Sequence, residues 1–210
     1  MEGQDVEVTK VEEVGTDTVA LTIESPEGFE ARPGQFVQVG IDTKEETVVR
    51  HYTISSKDVD RDFEITVEID PEGELSPLLG EYGAGEGVTV DGPYGRSYLE
   101  DEDSATVLAG GPGIGPALGI TEKVIENGGD VALVFLGGDP PHKDRLREIQ
   151  DVGVVETVED DGNLTDAVGN AVEEVDGQVF IYGFSEFVDS ALESLEEAGY
   201  DGEAKIERFD

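Results

Sequence analysis

Three stretches of this sequence combine residue types that can hold phosphate beside a flat ring. The first, Gly110-Gly111-Pro112-Gly113-Ile114-Gly115-Pro116, follows the apolar run Ala105 to Ala109 and precedes a helical pattern. Residues without side chains let backbone approach a pyrophosphate, and a helix start aims N–H groups and partial positive charge at it. The same residues would also make a tight strand-to-helix turn that binds nothing, and Pro116 stands where a G-x-G-x-x-G motif has its last glycine. The second stretch is RHYTISS, Arg50 to Ser56, which puts Arg50, Tyr52 and Ile54 on one face of a strand and His51, Thr53 and Ser55 on the other. An arginine fork, an aromatic plate and hydroxyls suit a phosphorylated ring ligand; a half-buried strand with a surface arginine is the plainer reading. The third, GELSPLL from Gly73 to Leu79, offers Ser76 as the cap and Pro77 as the first residue of a short helix. It would be a second anion site or an ordinary capped helix.

The chain of 210 residues has no cysteine, which removes disulfides, thiolate catalysis and any iron–sulfur cluster held on this polypeptide. His51 and His142 are its only histidines and lack the spacing of a zinc site, so no metal is expected and redox chemistry would need an organic cofactor. Acidic residues number 51 against 13 basic ones, a formal net charge of −38, and they are spread along the whole chain. Such self-repulsion is tolerable where salt of about 1 M shortens the Debye length to about 3 Å, as in the cytoplasm of a halophile. Without a basic patch, nucleic acid and anionic membranes are poor partners. No run approaches the roughly 20 apolar residues of a membrane span, and the opening MEGQDVEV is not a signal peptide, so a soluble cytoplasmic protein is expected.

Two kinds of pattern must position these residues. From Val6 to Val90, six short runs alternate with period two and are separated by turn residues such as Pro26, Gly28, Pro33 and Gly34, which predicts an antiparallel β-barrel with one short helix near Ser76 to Glu81. After the polar segment Glu100 to Asp103 the rhythm becomes strand, helix, strand, with helices beginning near Gly115, Lys143, Thr165 and Glu186. That alternation predicts a doubly wound parallel α/β domain, whose ligands lie beyond the carboxyl ends of the strands.

Taken in order, these stretches resemble the ferredoxin–NADP reductase superfamily over nearly the whole chain. Arg50, Tyr52 and Thr53 match its R-x-Y-[ST] stretch, Gly73 and Ser76 its G-x-x-S helix, and Gly92, Pro93 and Gly95 its G-P-x-G barrel exit. Gly110, Gly111, Gly113, Ile114 and Pro116 match its nucleotide loop. The resemblance implies a FAD-binding barrel at 1–101, a NAD(P)-binding domain at 102–210, and hydride transfer between NAD(P)H and bound FAD in the cleft between them. It would place Arg50 on the FAD pyrophosphate with Gly73, Leu75 and Ser76 completing the cradle. Tyr52, with His51 beside it, would lie at the isoalloxazine, Thr53 near the reactive flavin nitrogen, and the backbone from Val67 to Ile69 along the ring. Gly110, Gly111, Gly113, Ile114 and Gly115 would surround the dinucleotide pyrophosphate. Glu207 and Phe209 match a terminal E-x-F that brings an aromatic to the flavin, a catalytic place alongside Tyr52 and Thr53; Phe209 would otherwise only seal the core.

The sequence departs from that pattern at several places. Tyr182, Gly183 and Phe184 stand where many relatives have Cys-Gly-Pro beside the nicotinamide, and Ser97 stands where an aromatic is frequent. Asp139 ends Gly137-Gly138-Asp139, where a carboxylate would repel a 2′-phosphate and accept from a ribose hydroxyl, pointing to NADH; Lys143 and Arg145 nearby would pull the other way. The cysteine cluster of the dihydroorotate dehydrogenase electron-transfer subunit is absent, which sets the chain apart from that branch. Ser185 does not sit in a working nucleophile elbow, because no histidine follows it, and it reads as a helix N-cap. The electron acceptor implied is ferredoxin, free flavin or another small redox partner. The alternative is a non-catalytic nucleotide-sensing or electron-transfer subunit of a larger complex.

Overall fold

The computed structural model describes residues 3–43 and 46–209. Its first half is a six-stranded antiparallel sheet of β1 (Gln4–Gly15), β2 (Thr18–Glu24), β3 (Phe36–Asp42), β4 (Thr47–Thr53), β5 (Asp62–Glu68) and β6 (Gly87–Tyr94). The order β4-β3-β6-β1-β2-β5 leaves β4 and β5 at the ends, and a single bridge between Ile54 and Ile65 closes the barrel. Alternation turns Leu21, Ile23, Val37, Val39, Phe63, Ile65 and Val67 inward to a dry core. A short helix, α1 (Ser76–Gly80), stoppers this core with Leu75 and Leu79.

The second half is a parallel sheet of β7 (Ala105–Gly110), β8 (Val131–Leu136), β9 (Val154–Val158), β10 (Gln178–Gly183) and β11 (Lys205–Arg208), in the order β11-β10-β7-β8-β9. Every residue of β7 is buried, as expected of a central strand covered on both faces. Helices α2 (Ile114–Glu126) and α3 (Lys143–Gln150) share one core with the sheet, while α4 (Leu164–Glu174) and α5 (Ser185–Glu197) share the other. Among the described residues no helix is long and apolar enough to cross a membrane.

Helix starts differ from the sequence expectation in one consistent way. Ser76 and Ser185 are first helical residues, not caps, with Leu75 and Phe184 in the cap positions. The Ser76 hydroxyl instead accepts from the Asp70 N–H at 3.0 Å, folding the preceding turn back on itself. Helix α4 starts at Leu164, because Asn163 Oδ1 accepts from the Asp166 N–H at 3.2 Å.

The two halves are locked together by the starts of α2 and α3. A Cβ on Gly115 would lie 2.5 Å from Ser55 Oγ and one on Gly119 3.0 Å from the Ser56 carbonyl, so only glycine lets α2 lie on the barrel. Arg145 on α3 donates to both carboxylate oxygens of Glu122 at 2.6 and 2.9 Å, to Glu64 at 2.8 Å and to the Ser55 carbonyl at 2.9 Å. His142, in the left-handed region with φ 57°, sets its Nε2 2.9 Å from Thr66 Oγ1, which lies 2.8 Å from Ser55 Oγ.

Candidate active site

Beyond the closing bridge at Ile54, β4 has no partner on its outer side, and that free edge opens into an interdomain cleft of about 780 Å³. Arg50, His51, Tyr52 and Thr53 all border the cleft, although alternation assigns them to opposite faces, because an edge strand exposes both. Tyr52 is half-buried against the barrel core, and burial, opposed by the Arg50 charge, pushes its phenol up to about 12. It therefore stays a neutral donor at any working pH. The His51 ring meets Phe36 edge-on at 5.3 Å, and its Nε2 lies 3.1 Å from Gln38 Nε2. Arg50 donates to the Val49 carbonyl at 2.8 Å and pairs with Glu74, so an anionic ligand would compete with Glu74 for the guanidinium.

The neighbouring strand shows which side chains face the cleft. On β5 and just beyond it, the side chains of Thr66, Glu68 and Asp70 border the cleft, whereas the Val67 side chain is buried in the barrel core and Ile69 packs against it. Strict alternation from Phe63 could have identified the three, since Phe63, Ile65 and Val67 claim the inner face. Gly73, Leu75 and Ser76 do not border the cleft. Leu75 is a core residue, and Gly73 and Ser76 hydrogen-bond back to Asp70 within their own turn.

The opposite wall is the glycine loop, a 3-10 turn over Gly111–Gly113 leading into α2. Gly111, with φ 54°, faces the cleft exposed, with Pro112 beside it. Gly110, Gly113 and Gly115 have a different reason to be glycine: a Cβ there would strike the Phe187 ring, the Tyr182 carbonyl and Ser55 respectively. They set how closely β7, β10 and the barrel approach; they offer no surface to a ligand. From Gly111 a second groove of about 300 Å³ runs past Ile114 to the ends of β8 and β9, where Gly138, Asp139 and Asp160 border it. Asp139 is ion-paired with Lys143, and Arg145 is committed to the interdomain contact, so Arg145 is not available to a phosphate in this groove.

The chain's last strand closes the cleft. Glu207, Arg208 and Phe209 border it together with Phe184, whose ring meets Phe209 edge-on at 6.3 Å. Burial pushes the Glu207 carboxyl up. The Phe209 N–H donates to the Gly183 carbonyl at 3.1 Å, and its ring packs on the second core while lining the cleft. Tyr182 is a correction: it is wholly buried and donates its hydroxyl to the Ser97 carbonyl, while Ser97 Oγ donates to the Ile206 carbonyl at 2.6 Å. The residues replacing Cys and the family aromatic are thus joined to each other as an interdomain strut. Gly183 is buried beneath Phe187, leaving Phe184, half-exposed, as the residue of that trio that faces the cleft.

Comparison with known proteins agrees with this architecture. Residues 5–98 match the family described as the oxidoreductase FAD-binding domain. A probable dihydroorotate dehydrogenase B (NAD(+)) electron transfer subunit from Methanopyrus kandleri is 33% identical over 146 residues, 70% of this chain and 52% of that protein. A glycine betaine monooxygenase reductase subunit from Chromohalobacter salexigens is 34% identical over 57% of this chain and 33% of its own length. The matched stretches thus span about half or less of these curated relatives. In three dimensions, the ferredoxin NADP+ reductase of Neisseria gonorrhoeae, solved with FAD and NADP, superposes with a TM-score of 0.81 over 99% of this chain and 98% of that one, at 19% identity, a likeness of fold. The barrel with its R-x-Y-[ST] edge, the parallel domain with its glycine loop and the cleft between them share the fold of ferredoxin NADP+ reductase, and residues 5–98 match the oxidoreductase FAD-binding domain.

Proposed function

We propose that this chain is an NADH-dependent flavin reductase module that passes a hydride from the nicotinamide to bound FAD and hands the electrons to a further acceptor. The observation that carries the reading is one continuous cleft: the Arg50 to Thr53 edge faces Phe184, Glu207 and Phe209, and Thr66, Glu68 and Pro112 border both this cavity and the groove at Gly111. FAD fits the residues present, since an arginine, a neutral phenol and a hydroxyl share one open strand edge in a cavity of about 780 Å³. FAD when bound supplies the hydride chemistry and releases electrons singly or as a pair. The chain's own part is positional: Arg50 answers phosphate charge, Tyr52 and Thr53 donate hydrogen bonds, and the Phe184 and Phe209 rings keep water from the reacting faces.

NADH is the donor favoured by Asp139, and Asp160 beside it adds a second carboxylate where a 2′-phosphate would need a base. The acceptor is a small redox protein such as ferredoxin or a flavin, reached in the cytoplasm. Mixing the purified yellow protein anaerobically with NADH and no partner protein tests the reading. Rapid bleaching of flavin absorbance supports a reductase, whereas binding without bleaching would favour the second reading, a non-catalytic electron-transfer subunit, which the name of the Methanopyrus relative brings forward.

A further inference from the structure

Resting on the nucleotide site just proposed, we propose that Glu68 binds the ribose next to the nicotinamide and so selects a complete dinucleotide over its adenylate half. Glu68 lies where the two cavities meet, bordering both, as do Thr66 and Pro112. A ligand lying in the Gly111 groove and reaching the Tyr52 cavity must cross this point. Glu68 Oε2 would be 3.7 Å from a Cβ on Gly111, so the carboxylate faces the glycine loop directly across the crossing. Among the described residues it has no hydrogen-bond or ion-pair partner, unlike Glu64, Glu74 and Asp139, each held by a cation.

The order of chemical groups along the groove gives the assignment. At the carboxyl edge of the sheet, β7 ends in the Gly111 loop, β8 in Asp139 and β9 in Asp160, neighbouring strand ends being about 4.8 Å apart. The exposed Gly111 backbone therefore stands between carboxylates, Asp139 and Asp160 on one side and Glu68 on the other. A dinucleotide repeats that order as ribose, pyrophosphate, ribose. An ionised carboxylate only accepts hydrogen bonds, so it suits a pair of ribose hydroxyls and is unsuited to phosphate oxygen, which has nothing to donate. Glu68 thus reads the presence of the second ribose, one step before the ring that must react.

Calorimetric titration of the flavin-loaded protein in high salt with ADP and with ADP-ribose separates the possibilities, since the two ligands differ by that ribose. Glu68→Ala should weaken ADP-ribose about tenfold or more, the worth of a hydrogen bond to a charged group, and leave ADP nearly unchanged. Glu68→Gln, which keeps an acceptor oxygen, should recover part of the loss. Equal tightening of both ligands by Glu68→Ala would mean that Glu68 only repels phosphate, and unchanged affinity for both would mean that it makes no contact; either result overturns the assignment. Should the wild type bind neither ligand and fail to bleach with NADH, the nucleotide site itself falls. Bleaching that survives in Glu68→Ala with unaltered ADP-ribose affinity removes Glu68 alone.

Discussion

The barrel wall of the cleft presents side chains, while the glycine loop across from it presents backbone. On the barrel, Arg50, His51, Tyr52 and Thr53 project from a strand edge and can each contact a ligand through its own chemistry. Across the cleft the glycine loop offers Gly111 and a helix start, and the groove beyond it is bordered by carboxylates without a single lysine or arginine among the described residues. A side-chain cation and an aromatic plate suit a cofactor that stays. A groove that offers phosphate the Gly111 backbone and no cation would suit a ligand that must leave after each turnover.

The most sweeping test concerns the charge both walls share. Lowering salt below about 0.5 M should unfold the protein or release its flavin, because the Debye length then grows and repulsion among 51 acidic residues reaches further. Melting temperature against KCl measures it, and a flat curve would detach the acidic surface from salt adaptation. Next in size is the backbone wall. Gly113→Ala drives a Cβ into the Tyr182 carbonyl on β10, where neither main chain can yield, and should cost about 4 kcal/mol or more. Gly111→Ala, at an exposed position, should cost only the strain of a positive φ, about 1 kcal/mol. Equal losses in chemical denaturation would mean that the loop's glycines do not divide into packing and ligand-facing kinds.

Acid should part the two walls. Burial, reinforced by the Arg145 charge, lowers the His142 pKa to about 3, so the folded protein keeps this ring neutral while the unfolded chain takes up a proton near 6.5. The stability concerned is present above pH 6.5 and is lost as pH falls toward 3, on the order of 4 kcal/mol in all. Glu64, whose carboxyl burial pushes up, works in the opposite sense, gaining stability as it protonates above its ordinary 4.5. In His142→Gln the loss between pH 6.5 and 4 should shrink, as measured by denaturant midpoints across that range.

How far the sequence discloses this molecule depends on whether a feature is local. The six barrel strands and the strand–helix rhythm are legible because periods of two and 3.6 act over a few residues, whereas the Arg50 to Thr53 edge stands out only when its residue types are read with the family resemblance. Sequence misplaces Tyr182 because its partner, the Ser97 carbonyl, comes from the other half of the chain. It does not disclose that the Leu75 side chain is in the barrel core, because a motif match does not say which side of a turn faces the core. Asp160 escapes it because only the parallel order of β7, β8 and β9 carries that residue to the Gly111 groove. Glu68 and Thr66 are within reach, one alternation away from the buried Val67.

On the barrel wall, Arg50→Ala should weaken FAD binding by about 1.5–3 kcal/mol, the worth of a hydrogen bond to a charged group. Because Arg50 is paired with Glu74 at the surface, Glu74→Gln should act in reverse and tighten FAD by about 0.5 kcal/mol. Flavin retention during gel filtration and equilibrium titration of the apoprotein report both. If neither substitution changes retention, the pyrophosphate does not lie at Arg50, and side-chain recognition on this wall begins only at Tyr52.

The smallest effect on stability is expected where the two walls meet. Phe209 packs on the second core, yet it also lines the cleft and touches Phe184 edge-on at 6.3 Å. A ring fully enclosed by the core would cost about 3–5 kcal/mol on truncation to alanine. Phe209 is only partly buried, and its backbone tie to the Gly183 carbonyl survives the change, so Phe209→Ala should cost about 1 kcal/mol. Its effect on the cleft should be larger than its effect on the fold. The ring lines the same cavity as Phe184 and Tyr52, so a nicotinamide stacking on a flavin at the Tyr52 edge would compete with it for that space. Removing it should tighten NAD+ and slow its release, with the rate of flavin reduction in stopped flow changing while the melting curve hardly moves. Wild-type reduction rates together with a loss near 4 kcal/mol would make Phe209 a core residue and nothing more.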